Sequence, residues 1–141
     1  MTAALEFRAV NILFAQDLRA RRNFASAQAA LSGGATRAEV AAQYRVIAGV
    51  IDASLRVESG GISVLMGLSG SGKSTLLRAA NGLNQTTSGQ VLLSDGDREV
   101  DVASCDAASL RRVRRRRVAM VFQQFGLLPW RTVRELSLIH I

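Results

Sequence analysis

The sequence predicts a mixed α/β fold in which a strand, a glycine-rich loop and a helix follow one another directly. The loop is residues 67–75, GLSGSGKST, and it fits the phosphate-loop pattern G-x-x-x-x-G-K-[ST]. The apolar run 62–66 precedes it and predicts the strand, and the helix-prone segment 74–80 follows it. Lys73 is the only lysine of the chain, and the other 17 of its 18 lysine and arginine residues are arginines. A compact ammonium at this position is typical of a phosphate contact, and a guanidinium does not replace it there.

The residue types of the loop indicate what it binds. Its three glycines allow backbone conformations that a Cβ would hinder, so successive N–H groups can surround an anion at the start of a helix. We expect Lys73 to contact the β- and γ-phosphates of a nucleotide, Ser74 to bind Mg²⁺ through its hydroxyl, and Thr75 to approach the α-phosphate. The expected phosphate-binding set is Gly67, Ser69, Gly70, Ser71, Gly72, Lys73, Ser74 and Thr75.

The bulk composition is that of an ordinary globular domain. The chain has 141 residues, 48% hydrophobic and 21% charged, which suits one domain with a core of its own. No apolar stretch approaches 18 residues, so we expect no membrane span, and the layout near Glu6 does not resemble an export signal. The single cysteine, Cys105, cannot form an internal disulfide, which is typical of a reducing compartment.

The net charge of +7 comes in large part from one arginine run. Its members lie between Leu110 and Val121, a segment without aromatic residues, whereas a groove for single-stranded nucleic acid usually interleaves aromatics with cations. We therefore interpret the run as the solvated end of a helix and expect no nucleic-acid partner; contact with membrane headgroups or an acidic partner remains an alternative. The run is Arg111, Arg112, Arg114, Arg115, Arg116 and Arg117.

Local patterns predict the remaining elements in order along the chain. Residues 1–43 read as a helical N-terminal extension: helical spacing covers 17–31, a glycine stop lies at 32–34, and Thr36 opens a capping box with Glu39. Later strands are expected at 46–51, 54–57, 62–66, 90–93 and 118–122, and a helix capped by Asp106 or Ser104 is expected to run to about residue 115.

Residues 118–133, VAMVFQQFGLLPWRTV, resemble the Q-loop segment of ABC-transporter ATPase subunits. This resemblance implies the P-loop NTPase fold of an ABC ATPase nucleotide-binding domain, with ATP as the nucleotide. It also implies that Gln123 is the Q-loop glutamine, which reaches Mg²⁺ and the hydrolytic water and so shares a catalytic role with Lys73. The family places an adenine-stacking aromatic about 29 residues before the lysine, where Tyr44 stands; Tyr44 as an ordinary packing residue is the alternative.

The helical extension and the segments 49–57, 66–78 and 81–84 are similar to the ATPase subunit of quaternary-amine importers, which take up solutes such as glycine betaine, proline betaine, choline or carnitine. The resemblance implies a peripheral protein at the cytoplasmic face of a bacterial membrane. Its implied partners are a second ATPase subunit, transmembrane permease subunits and, indirectly, a solute-binding protein. A small-molecule kinase and a basic nucleic-acid-binding module are the alternatives from other classes.

Several parts of the family pattern do not occur, so we expect an N-terminal part of the ATPase domain, residues 44–135, truncated after the Q-loop. The LSGG of residues 31–34 precedes the phosphate loop, so it is not the signature motif, and Asp95 leads into a turn, so 91–95 is not the Walker B strand. His140 is the penultimate residue and does not fit a switch histidine, and residues 136–141 resemble a non-native tail. We expect such a chain to bind ATP without efficient turnover.

Overall fold

The computed structural model describes residues 3–96, 98–122 and 130–137, and it has the expected mixed α/β character. The strands are β1 (Ala3–Ala15), β2 (Val46–Glu58), β3 (Ser88–Ser94) and β4 (Glu99–Asp101). The helices are α1 (Phe24–Ser32), α2 (Arg37–Tyr44), α3 (Lys73–Ala79), α4 (Ala107–Arg116) and α5 (Val133–Ser137), and a 3-10 helix spans Arg19–Asn23. Every helix of these residues falls short of the length and apolar character needed to cross a membrane.

The four strands form one antiparallel sheet in the order β2-β1-β3-β4. β1 lies inside this sheet, with Phe7 opposite Leu55 of β2 on one side and Val91 of β3 on the other. The expectation of a helical extension over residues 1–43 is therefore wrong for residues 3–15. Phe7, Val10 and Ile12 of β1 are almost fully buried, and the burial of these apolar side chains between strands favours a strand over a helix here.

The first two strands are irregular at matching positions. Ala9 and Asp52 have left-handed backbones, with φ of 47° and 45°, and the pairing register shifts around Val10. Buried Asn11 stabilises this irregularity, because its Nδ2 donates to Ala9 O at 3.1 Å and its Oδ1 accepts from Asp52 N at 2.9 Å. The two strands expected at 46–51 and 54–57 are thus one strand, β2, in which Asp52 has an irregular backbone conformation.

The predicted helix signals are confirmed. Thr36 and Glu39 form a capping box, with Glu39 N donating to Thr36 Oγ1 at 3.2 Å and Thr36 N donating to Glu39 Oε2 at 2.7 Å. The hydrogen bond from Thr36 N lowers the pKa of Glu39. α1 ends at Ser32 with Gly33 as its cap, and Asp106 caps α4 through Ala108 N and Ser109 N.

The strands expected at 62–66 and 118–122 are absent from the described sheet. Ile62, Val64 and Met66 are 95%, 73% and 87% exposed, and Val121 is 96% exposed. Parallel strands of this apolar type are stable when neighbours cover both of their edges and faces, and no described strand pairs with either segment. The apolar pattern was therefore insufficient to predict strand formation here.

Two apolar clusters hold the described elements together. The first lies between β1, β2, β3 and the helices α3 and α4, and the second lies between β1, β2 and the helices α1 and α2. Leu76 and Ala79 place one face of α3 in the first cluster, beside Val50 of β2. This packing fixes the helix that begins at the glycine-rich loop.

Candidate phosphate-binding site

The glycine-rich loop bends into α3 as the sequence predicts. Gly67, Gly70 and Gly72 have φ of 154°, 78° and 98°, values that favour glycine, and Gly72 is the cap residue of α3. Ser71 N donates to Leu68 O at 3.2 Å, which closes a turn within the loop. Backbone N–H groups at such a turn and helix start are suited to an anion.

Lys73 folds back over its own loop. Its Nζ donates to Gly67 O at 2.8 Å, to Leu68 O at 2.7 Å and to Ser71 Oγ at 3.3 Å. These three bonds use the full donor capacity of an ammonium. The cation is therefore held at the loop by neutral oxygens, which a phosphate would replace with charged acceptors and stronger hydrogen bonds.

A cavity of about 430 Å³ lies beside the loop. Its walls are residues 69–75 on one side and Ile47, Ala48 and Gly49 of β2 on the other. The structure thus brings together all of the expected phosphate-binding residues except Gly67, whose carbonyl contacts Lys73 at the start of the loop. Ser74 is exposed to this cavity, and its hydroxyl is the kind of oxygen donor that Mg²⁺ accepts.

Tyr44 does not line this cavity. It is the last residue of α2, it packs with the second apolar cluster, and its carbonyl accepts a hydrogen bond from Asn23 Nδ2 at 2.9 Å. The structure therefore supports the packing interpretation of Tyr44 that the sequence left open.

Phe14 is an aromatic residue that the sequence analysis did not single out. It lies near the end of β1, is 40% exposed and borders a separate cavity of about 960 Å³. A methyl group built on Gly49 would lie 2.7 Å from Phe14 Cε2 and 3.2 Å from Thr75 Cγ2, so the ring also approaches the loop. Counting 29 residues back from Lys73 ends at the last residue of α2, whereas Phe14 lies near the end of β1.

Gln123 and His140 lie outside the described residues. Among the described residues, no group of three or more histidine, cysteine or acidic side chains lies close enough to hold a metal ion.

Side chains from the turn after α3 and from α4 form hydrogen bonds with α3 and with the residues that follow it. Asn84 Nδ2 donates to Thr75 O at 3.0 Å, and Arg114 donates to Asn81 O at 2.8 Å and to Gly82 O at 3.1 Å. The cation of Arg114 is thus placed at the carboxyl end of α3, where the helix dipole favours it.

Asp95 binds two arginines of the run. Its carboxylate accepts from Arg117 Nε at 2.6 Å and from Arg112 Nε at 2.9 Å, and its side chain is only 10% exposed. These two hydrogen bonds lower the pKa of Asp95, and the bond from Arg117 is the larger cause.

Comparison with known proteins places this site in a family context. The sequence profile described as ABC transporter matches residues 50–138. The glycine betaine/proline betaine transport system ATP-binding protein of Escherichia coli K12 is 50% identical over 100 residues, which cover 71% of this chain and 24% of that protein.

Two further relatives match over similar lengths. A glycine betaine/carnitine transport ATP-binding protein of Listeria monocytogenes is 45% identical over 107 residues, 76% of this chain and 26% of that protein. A glycine betaine transport ATP-binding protein of Bacillus subtilis is 43% identical over 105 residues, 74% of this chain and 24% of that protein. The chain therefore spans about a quarter of the length of these relatives.

Proposed function

The chain belongs to the ABC transporter family, and from this premise we propose that it is part of the ATP-binding subunit of an importer. The observation that carries this proposal is the loop at 67–75, in which left-handed glycines, a helix start and Lys73 converge on one cavity. Backbone N–H groups and an ammonium at one concave surface are suited to a triphosphate.

Each residue of the loop has a separate task in this proposal. The backbone N–H groups of residues 69–75 bind phosphate oxygens, Lys73 exchanges its loop carbonyls for the β- and γ-phosphates, and Thr75 approaches the α-phosphate. Ser74 and, outside the described residues, Gln123 would hold Mg²⁺, which when bound neutralises charge on the phosphates. Hydrolysis in the whole protein would be phosphoryl transfer to water, in which positioning and charge stabilisation do most of the work.

We assign the base of the nucleotide to Phe14 and not to Tyr44. Phe14 is exposed near the end of β1, and a methyl group built on Gly49 would meet both its ring and the methyl group of Thr75, whereas Tyr44 packs in the second cluster. Stacking of a base on an aromatic side chain contributes about 1–3 kcal/mol. The exposed ring of Phe14 therefore suits a base platform beside the loop.

The relatives support a quaternary-amine solute as the cargo of the whole transporter, because their names specify glycine betaine, proline betaine or carnitine transport. We propose that the whole subunit acts with a second copy of itself and with transmembrane permease subunits, at the cytoplasmic face of a bacterial membrane. A solute-binding protein would deliver the cargo from the other side.

Titration of the chain with Mg·ATP tests the proposed site. We expect Lys73→Ala to weaken binding about 10- to 100-fold, because it removes charge-assisted hydrogen bonds worth roughly 1.5–3 kcal/mol. Arg22→Ala, which removes one exposed positive charge from a residue that does not line the loop cavity, is the matched control and is expected to bind like the unmodified chain.

Equal affinities of the unmodified chain and Lys73→Ala would contradict the proposal. Tight binding of duplex DNA with a steep salt dependence, without selective binding of ATP, would favour a nucleic-acid-binding function in its place.

A further inference from the structure

Gly49 is the point at which the sheet contacts the phosphate loop. A methyl group built on Gly72, the cap residue of α3, would collide with Gly49 O. On its other side, a methyl group built on Gly49 would lie 2.7 Å from Phe14 Cε2, 3.2 Å from Ile12 O and 3.2 Å from Thr75 Cγ2. Cβ atoms almost never approach another heavy atom as closely as 2.7 Å, so a side chain at this position requires the Phe14 ring to shift.

The neighbours of Gly49 have little freedom to move apart. Thr75 lies in the first turn of α3, and its carbonyl is held by Asn84 Nδ2 at 3.0 Å. Phe14 is paired with Ile47 in the β1–β2 ladder, so its backbone is fixed while its ring is 40% exposed. A side chain at Gly49 would therefore displace the ring of Phe14 toward solvent before it displaced the loop.

We propose that Gly49 is a positioning residue that sets the distance between the Phe14 ring and Thr75, so that one nucleotide can contact both. This inference rests on the proposed function, in which Phe14 meets the base and the loop meets the phosphates. Gly49 belongs to neither the phosphate-loop pattern nor the aromatic platform, and it acts through the two groups that it separates.

Two ligands separate the base contact from the phosphate contact. In Gly49→Ala we expect the affinity for Mg·ATP to fall about 10-fold, because the displaced ring no longer stacks on the base. The affinity for Mg·tripolyphosphate, which has no base, is expected to stay within about 2-fold. Gly33→Ala is the control, because Gly33 has an ordinary φ of −81° and a methyl group there would make only ordinary contacts.

A double-mutant cycle with Phe14→Leu tests whether the effect passes through the ring. Phe14→Leu removes the closest clashing atom, so the double variant also shows whether Gly49→Ala alone fails merely because it does not fold. We expect Gly49→Ala to cost about 10-fold in ATP affinity when Phe14 is present and less than about 2-fold when leucine replaces it.

The outcomes distinguish this inference from the proposed function. If the unmodified chain binds ATP and Gly49→Ala binds it equally well, or loses ATP and tripolyphosphate to the same degree, the inference is wrong and the proposed function stands. If the unmodified chain binds neither ligand, the proposed function is wrong.

The spacing itself can be measured without a nucleotide. Phe14 and Thr75 both approach the space above Gly49, so their ring and methyl protons are expected to show a nuclear Overhauser contact. That contact should disappear in Gly49→Ala and persist in Gly33→Ala; its persistence in both variants would overturn the inference.

Discussion

The phosphate loop and helix α4 are both basic, yet they use their cations differently. The loop has one cation, Lys73, whose described partners are neutral oxygens of the loop itself. In α4 and its cap, Arg112 and Arg117 bind the carboxylate of Asp95, and Arg114 binds the carbonyls after α3. The number of charges does not indicate where an anion binds; the partners that each cation already has are more informative.

The backbone explains the same difference. The loop has glycines with positive φ and lines one cavity, whereas α4 is a regular helix whose N–H groups are used by its own turns and by the Asp106 cap. An anion at the loop can therefore meet several backbone donors together with one ammonium. The following predictions test this contrast.

Gly72→Ala is expected to have the largest effect on the loop. Gly72 has φ of 98° and its Cα faces Gly49 O, so a side chain would be strained and would also collide with β2. We expect the affinity for Mg·ATP to fall roughly 100-fold, measured by calorimetric titration.

Gly34→Ala is the matched control for this prediction. Gly34 has a similar φ of 95°, but a methyl group there would meet nothing within 4 Å. It therefore carries the same kind of backbone strain without the collision, and we expect it to lower stability and leave ATP affinity unchanged. A comparable loss of affinity in both variants would mean that general strain, and not the position of the loop, determines binding.

Phe14→Ala is expected to weaken Mg·ATP binding about 10-fold, since stacking contributes about 1–3 kcal/mol. Tyr44→Ala is expected to change that affinity less than 2-fold and to lower the melting temperature, because Tyr44 packs against the second cluster. Fluorescence titration with ATP and thermal unfolding of both variants separate the two roles. The reverse pattern would restore Tyr44 as the base platform.

The sequence was sufficient where local chemistry determines structure. The loop pattern at 67–75, the Thr36–Glu39 capping box and the Asp106 cap are each formed by neighbouring residues, and all three were predicted. The sequence was insufficient where pairing between strands that are distant along the chain determines the structure. Residues 3–15 become a strand because β2 and β3 lie on both sides, and residues 62–66 do not, because no described strand pairs with them.

The site shows the same division. The residues of the motif that surround the cavity were predicted, whereas Gly49, which also lines it, and Phe14, which lies close to Gly49, were not, since their positions depend on how β1 and β2 meet the loop. No local sequence pattern identifies a glycine that is needed because a side chain there would collide with two other elements.

Arg114→Ala tests the structural role of the cations in α4. The variant loses two charge-assisted hydrogen bonds to the carbonyls of Asn81 and Gly82, one of them partly buried. We expect the free energy of unfolding to fall by about 1 kcal/mol, while ATP affinity changes less than 2-fold. Chemical denaturation measures the first quantity, and nucleotide titration measures the second. A loss of affinity as large as that of Lys73→Ala would show that α4 is part of the binding site.

Asp95→Asn is expected to have the smallest effect, and the size of that effect depends on pH. The hydrogen bonds from Arg117 and Arg112 lower the pKa of Asp95 below its ordinary 3.8. A lowered carboxyl pKa in the folded chain adds stability above the unfolded value, and that stability disappears as the pH falls through the folded pKa. The unmodified chain should therefore melt at a slightly higher temperature than Asp95→Asn near neutral pH. The difference should begin to shrink below about pH 4 and disappear only when the pH is below the folded pKa of Asp95. Asp52→Asn removes the same charge from an exposed carboxylate that takes part in none of the ion pairs of the described residues. If both variants follow the same pH dependence, the ion pairs of Asp95 do not stabilise α4, and its arginines are free for an external anion after all.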